Sequence, residues 1–137
     1  EAARCLTLMG ADIILYPTAI GSGLGGGGDM LTGNDSVDAW RNAMCGHAAC
    51  NILPVVASNR IGREYMTESP EVYLEFYGNS FIADHEGQVV AQAGRDQEEV
   101  LVHRVDFDQV KEYRDSWAVF RDRRPDLYGT LATLDGR

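Results

Sequence analysis

"ADIILYPTAIGSGLGGGGDM", Ala11 to Met30, is the stretch whose reading decides the fold. ADIILY is apolar on both faces, the pattern of a strand buried on each side. It meets Pro17 and then opens into six glycines between Gly21 and Gly28. A glycine-rich loop after a strand is one setting for phosphate binding, so two α/β layouts compete here. A Walker loop needs Gly-Lys-Ser/Thr, because the lysine reaches the phosphates and the hydroxyl holds Mg²⁺. Gly28 is followed instead by Asp29 and Met30. A dinucleotide fingerprint needs a helix opening at its last glycine, and the next helical pattern begins near Val37. Asp29 and Asp35 would also repel phosphate. The nucleotide reading fails on context, which leaves a surface loop over the end of the strand at 11–16.

Outward from that loop, the chain alternates helix and strand. Ala2, Ala3, Leu6 and Met9 fall at helical spacing over residues 1–10, and Gly10 stops the run. Ser36 is placed as the N-cap of a helix over 37–51, whose stripe is Val37, Trp40, Met44, Ala48 and Ile52. LPVVAS, Leu53–Ser58, reads as a second buried strand. Val72–Tyr77 and Ser80–Asp84 read as further strands. A turn at Glu86-Gly87 and a strand over Gln88–Ala93 complete a hairpin. Glu99–Val105 reads as another strand, and Asp106 as the cap of a helix over 107–115. The order βαβ, then meander, then helix predicts a layered α/β protein. Residues 116–137 show little regular period.

The bulk numbers narrow the partners. The 137 residues carry a formal charge of −9, and 45% of them are hydrophobic. The calculated pI is near 4.6. Nucleic acids and anionic membranes need a basic stripe, so neither is an expected partner, whereas a cationic small molecule would be attracted. No run approaches a membrane span, and EAARCLTLMG lacks the plan of a secretory signal. Three cysteines, an odd number, suit reduced thiols in a cytoplasmic setting. The basic residues are eleven Arg and a single Lys, Lys111. The start lacks Met and reads as the inside of a helix, so a fragment or trimmed chain is expected.

Several blocks together carry a resemblance: EAAR, GADIILYPTAIGS, WRNAMCGHAACN, LPVVASNRIG, FYGNSFIAD, VDFDQVKEYRDSWAVFRDRRPDLY and TLDG. In that order they resemble the nitrilase superfamily of carbon–nitrogen hydrolases, and within it the N-carbamoylputrescine amidase branch. The resemblance covers nearly the whole chain. It implies an α-β-β-α sandwich, of which residues 1–137 are the C-terminal part of a single domain, with 116–137 as an oligomerisation tail. It implies a homo-oligomer and no metal or organic cofactor. The family works through a Glu-Lys-Cys triad, with the cysteine in a run just before the EAAR block. By that resemblance the triad lies upstream of Glu1 and no catalytic residue stands in this chain. Lys111, in a late helix, does not match the family lysine, which follows a strand. The implied reaction is hydrolysis of N-carbamoylputrescine to putrescine, CO₂ and ammonia. The alternatives are another carbamoyl-amine or amide hydrolase, or a non-catalytic assembly piece.

The resemblance places Thr18, Ala19 and Asn59 at strand ends that form the family's substrate pocket. Ordinary turn chemistry explains Thr18 and Asn59 equally simply. Glu64, with Glu68, could attract an ammonium group or line a solvated loop. The branch usually follows its AIGS block with an acidic residue and a shorter loop, where this chain has Gly23 and a glycine-rich insertion to residue 36. That loop is expected to act as an acidic lid, with Asp29 and Asp35 as its charges. Cys5 reads as a buried, inert thiol inside the first helix. Cys45 and Cys50 point about 140° apart on a helix, so with His47 they make a poor zinc site, and His47 is expected in a structural hydrogen bond. Arg121, Arg123 and Arg124 alternate with Asp122 and Asp126. This pattern suits an intersubunit ion-pair network or a solvated tail.

Overall fold

The computed structural model describes residues 1–22, 36–65, 68 and 71–137. Among the described residues, two sheets, three α-helices and two short 3₁₀ helices make up the regular structure. The larger sheet has the order β1-β3-β6-β7, formed by β1 (Ile14–Thr18), β3 (Val55–Asn59), β6 (Phe81–Ala83) and β7 (Val89–Gln92). β1 and β3 are parallel, pairing Ile14 with Val55 through Thr18 with Asn59, and the other pairs are antiparallel. A parallel pair cannot be joined by a hairpin. Helix α2 (Val37–Asn51) lies on the connection between them and packs on β3 and β6. The smaller sheet has the order β2-β5-β4, from β2 (Gly21–Ser22), β5 (Tyr73–Tyr77) and β4 (Ile61–Tyr65).

The core forms where α2 meets both sheets. Val37, Trp40, Ala48 and Ile52 are buried and Met44 packs beside them, so the helical stripe faces inward as its spacing predicts. Trp40 meets Phe81 of β6 edge-on at 5.3 Å and Tyr77 of β5 at 6.1 Å. Both distances lie in the favourable range for aromatic pairs. Leu53, Val55 and Phe81 are fully enclosed. Helix α1 (Ala2–Leu8) packs on α2, burying Ala3 and Thr7.

Charged side chains from the neighbouring helices close the end of α2. Its last turn holds no basic residue. Arg4 of α1 donates to the Cys50 carbonyl at 2.6 Å, and Arg114 of α3 (Phe107–Trp117) donates twice to the Ile52 carbonyl, at 2.8 and 3.2 Å. Both guanidinium groups also lie over the Phe120 ring, at 4.6 and 5.5 Å. The negative end of the helix dipole is thus met by two cations. Asp106 caps α3 as the sequence predicts, accepting from the Asp108 and Gln109 amides at 3.1 Å.

Four readings of the sequence need correction. Residues 99–105 form no strand; Val100 and Val102 are 90% and 85% exposed, and no described strand pairs with them. Alternating apolar residues are not enough for a strand without a partner to complete the ladder. Cys5 is exposed rather than buried, because the inward face of α1 is taken by Ala3 and Thr7. Ser36 stands at the N-cap of α2, but its hydroxyl lies 3.3 Å from Tyr77 Oη and caps no amide. The unanticipated strands β2 and β4 are the two flanks of β5.

Candidate functional site

The parallel pair β1 and β3 brings Thr18 and Asn59 side by side at its carboxyl end. Ligands of open α/β sheets gather at such ends. The chain then continues from β1 through Ala19 and Ile20 into β2, which belongs to the other sheet. Segment 18–22 therefore bridges the two sheets, and its path sets the shape of this end.

Asn59 bonds to that path through its side chain. Its Oδ1 accepts from the Ile20 amide at 2.9 Å. Its Nδ2 donates to the Ile20 carbonyl at 3.0 Å and to the Gly78 carbonyl at 2.9 Å. The side chain thus pairs with Ile20 as a neighbouring strand would. The backbone continues the same weave: Arg60 N–H donates to the Thr18 carbonyl at 3.2 Å, and Gly78 N–H to the Arg60 carbonyl at 3.0 Å. Ser80 Oγ accepts from Asn59 N–H at 2.8 Å. Both Nδ2 hydrogens of Asn59 are in use, so neither is left to bind a ligand.

Thr18 is half-buried and its Oγ1 donates to the Tyr16 carbonyl at 2.9 Å. Ala19 is exposed. Gly21 lies so close to β5 that a Cβ there would stand 2.3 Å from the Glu75 carbonyl oxygen. Ser22 is buried, with Oγ donating to that same carbonyl at 3.3 Å. Tyr16, one turn of the pleat before Thr18, stacks on His47 of α2 at 6.2 Å between ring centroids, and burial raises its phenol pKa above the ordinary value. His47 is thereby held through its ring, while its backbone carbonyl accepts from Asn51 Nδ2 at 2.8 Å.

Glu64 lies elsewhere, on β4 of the smaller sheet. It is exposed and ion-paired with Arg60, whose guanidinium lies 4.4 Å over the Phe76 ring. A ligand ammonium would have to compete with that arginine. Next to it Arg63 pairs with Glu75 at 3.0 Å, which raises the arginine's pKa further. Glu68 is exposed. Asp29, Asp35 and the rest of the glycine-rich segment 23–35 lie outside the described residues.

An open cleft of about 490 Å³ lies beside the Asn59 weave, lined by Ser58, Arg60, Ser80, Glu98 and Glu99 among others. It offers hydroxyl groups and carboxylates at the carboxyl end of β3. Glu99 accepts from the Gly94 amide at 2.7 Å. The sequence reading singled out none of Ser58, Ser80, Glu98 or Glu99. Ser80 has a signal in hindsight, since Gly78 and Asn79 both take left-handed backbone and turn the following hydroxyl toward Asn59.

Among the described residues, no group of three or more His, Cys, Asp or Glu is arranged to hold a metal ion. Cys45 is half-buried and Cys50 exposed. Burial pushes the Cys45 thiol up, Arg41 opposes this and Asp84 adds to it. Cys5 edges a second groove, between α1 and the tail, whose lining holds neither histidine nor lysine to activate a thiol. Lys111 is exposed on α3. Arg121 and Arg124 pair within the chain, with Asp122 at 2.8 Å and Asp126 at 2.6 Å, and hold both carboxyls below the usual range. Arg123 lies over the Tyr128 ring at 5.9 Å.

Comparison with known proteins gives this geometry a family. Residues 1–115 match the family described as carbon-nitrogen hydrolase. The chain is 53% identical to an N-carbamoylputrescine amidase of Arabidopsis thaliana, over 99% of its own length and 44% of that protein's. It is 47% identical to a citrullinase of Francisella tularensis, over 96% of its length and 43% of that protein's. The crystal structure of a carbon-nitrogen hydrolase from Helicobacter pylori G27 superposes with a TM-score of 0.86 at 35% identity, covering 98% of this chain and 45% of that one. The chain thus spans a little under half the length of the curated relatives it matches.

Proposed function

The chain belongs to the carbon-nitrogen hydrolase family, and from that premise we propose that the full-length protein hydrolyses N-carbamoylputrescine to putrescine, CO₂ and ammonia. The observation that carries the reading is the 53% identity to the plant amidase across 99% of the chain. The net charge of −9 agrees with a substrate whose free amine is a cation.

The proposed chemistry uses a cysteine, a general-base glutamate and a lysine, all expected upstream of Glu1. A carbamoyl carbon is a poor electrophile, so attack needs a thiolate and a cation or hydrogen-bond donor at the developing oxyanion. The thiolate adds to the carbamoyl carbon, and the terminal C–N bond breaks. The glutamate proton passes to the leaving ammonia. Water, deprotonated by the same glutamate, then splits the thioester-like intermediate. The carbamate of putrescine is released and loses CO₂. The residues described here would contribute one wall of the pocket: Thr18, Ala19 and the segment Asn59 holds in place. We further propose that the protein acts in the cytoplasm in polyamine biosynthesis, as a homo-oligomer joined through 116–137. Among the described residues no helix is long and apolar enough to cross a membrane.

The 47% identity to a citrullinase supports a second reading. Citrulline carries the same carbamoyl-amine group on an amino-acid side chain. The test is ammonia release by the full-length protein from N-carbamoylputrescine and from citrulline, compared as kcat/KM. A preference of tenfold or more for the diamine is expected. The reverse preference favours the citrulline reading, and turnover of neither leaves the assembly role as the better account.

A further inference from the structure

We propose that Asn59 is a positioning residue, which fixes the 18–22 wall of the substrate pocket by acting as a one-residue strand between Ile20 and Gly78. The proposal rests on the amidase reading above and names the residue that gives its pocket wall a single shape.

Three segments distant in sequence meet at this side chain. Ile20 leads from the larger sheet into the smaller one, Gly78 leads back from the smaller sheet, and Asn59 ends the strand between them. All three side-chain hydrogen bonds run to backbone atoms, at 2.9, 3.0 and 2.9 Å. The Ile20 pair is two-point, one donor and one acceptor, so it fixes the orientation of that peptide as well as its distance. Aspartate at 59 would have no Nδ2 hydrogens to give, and leucine would fill the space without either function.

Each anchor of the clamp is itself held. Ser80 Oγ accepts from Asn59 N–H at 2.8 Å and lies 3.3 Å from the Asn59 carbonyl, to which it donates. Gly78 has φ of +55°, and a Cβ there would stand 2.6 Å from the Arg95 carbonyl oxygen. Asn79 N–H donates to the Gly94 carbonyl at 2.9 Å. The Gly78 carbonyl that receives Asn59 is thus tied to the turn after β7. Immediately beyond the clamp, Ser22 and Gly21 lie against β5. Along this segment Ala19 and Ile20 link β1 to β2, so freeing Ile20 lets this wall shift while both sheets keep their ladders. A shifted wall loses contacts made equally to bound substrate and transition state, so its displacement is felt first in KM.

The experiment uses the full-length protein with Asn59→Ala, and Ser80→Ala as a milder variant that leaves the three side-chain bonds in place. Steady-state kinetics with N-carbamoylputrescine are paired with amide hydrogen exchange over residues 17–22 and with the melting temperature. For Asn59→Ala the expected result is a KM raised roughly tenfold with kcat within about threefold, the pattern of lost binding, together with faster exchange at Ile20. Ser80→Ala should move both readouts in the same direction by less. A purely structural role would lower the melting temperature and the active fraction, so that kcat falls at constant KM; that result overturns the proposal. Unchanged exchange at Ile20 overturns it as well. If Asn59→Ala does not fold, an unchanged KM and unchanged Ile20 exchange in Ser80→Ala have the same force. Wild-type protein inactive on every carbamoyl amine overturns the amidase reading instead, and is told apart because it appears before any substitution is made.

Discussion

Replacing Arg114 should reveal how much the end of α2 depends on a guanidinium supplied by another helix. Ile52 closes α2 with φ of 49° and ψ of 60°. A β-branched residue avoids that left-handed conformation, at a cost on the order of 1–2 kcal/mol. Ile52 is 3% exposed, so its side chain has reason to stay buried. Its carbonyl receives both Nε and Nη2 of Arg114. Hydrogen bonds involving a charged group are worth about 1.5–3 kcal/mol, and the half-buried position argues for the lower part of that range. Contact with the Phe120 ring adds about 0.5 kcal/mol at an exposed site. Arg114→Met should therefore cost about 2–3 kcal/mol. Arg114→Lys keeps a charge near the helix end but loses the two-point fork, and should cost about 1–1.5 kcal/mol on the same scale. Urea unfolding midpoints at constant m-value give both figures. Hydrogen exchange at the Leu53 amide, bonded to the Ala48 carbonyl at 3.3 Å, should accelerate in the same order. Equal losses in the two variants would show that the fork alone matters and that charge does not, and no loss in Arg114→Lys would show the reverse. A loss below about 0.5 kcal/mol in both, the level of an ordinary surface substitution, would refute the argument altogether.

Three further outcomes are expected. Asp106→Ala should destabilise α3 by about 1 kcal/mol and Asp106→Ser by much less, since serine also caps; chemical denaturation of the two variants measures the difference. Gly21→Ala, which drives a Cβ into the Glu75 carbonyl, should break the β2–β5 pairing and lower kcat/KM of the full-length protein on the carbamoyl amine by roughly tenfold or more, with a melting temperature close to wild type because β2 is a two-residue edge strand. Iodoacetamide near pH 8 should alkylate exposed Cys5 and Cys50 quickly and Cys45 slowly, as read by mass spectrometry. Because the folded Cys45 pKa is raised, the fold favours the neutral thiol, so its contribution to stability is present below the ordinary thiol pKa and is lost as pH rises through the folded value.

The parts of the fold legible in the sequence have local causes. Helix α2 was readable to its bounds because its stripe obeys one period and is flanked by a serine and a buried strand. β1 and β3 were readable as strands because continuous apolar runs have few other uses, but β1 is not buried on both faces as its apolar run suggests, since Leu15 is 64% exposed. β4 was missed because IGREY reads as polar coil; it becomes a strand only through β5, which pairs with it from Ile61–Tyr77 to Tyr65–Tyr73. Arg63 of β4 and Arg60 just before it then find aromatic faces on β5, Arg60 on Phe76 and Arg63 on Tyr73. Residues 99–105 are the opposite case. Their apolar alternation is strong, but strandness belongs to a pair, and none of the described strands takes them up. Cys5 failed for a related reason, since the burial of a helix face depends on what lies opposite, and the tail leaves that face of α1 open.

The candidate site divides along the same line. Its location could be inferred, because the carboxyl end of a parallel pair follows from β1, α2 and β3. The role of each side chain could not. Asn59 looks, in sequence, like a polar residue at a strand end, equally suited to a ligand or to a turn. What the sequence does not show is the arrival of Ile20 and Gly78, 39 and 19 residues away, which together take up its amide hydrogens. Glu64 carries the same lesson with the opposite charge. Alone it reads as a free carboxylate, but its i−4 neighbour Arg60 occupies it. An exposed pair of this kind contributes only about 0–1 kcal/mol, so a substrate ammonium could displace the arginine at little cost. Glu64→Gln should then raise the KM for the carbamoyl amine in the full-length protein if the carboxylate serves the substrate, with an effect that shrinks as salt screens exposed charge. An unchanged KM at low ionic strength would assign Glu64 to Arg60 alone and make Glu98 and Glu99, in the cleft that Arg60 also lines, the next carboxylates to test against a cation.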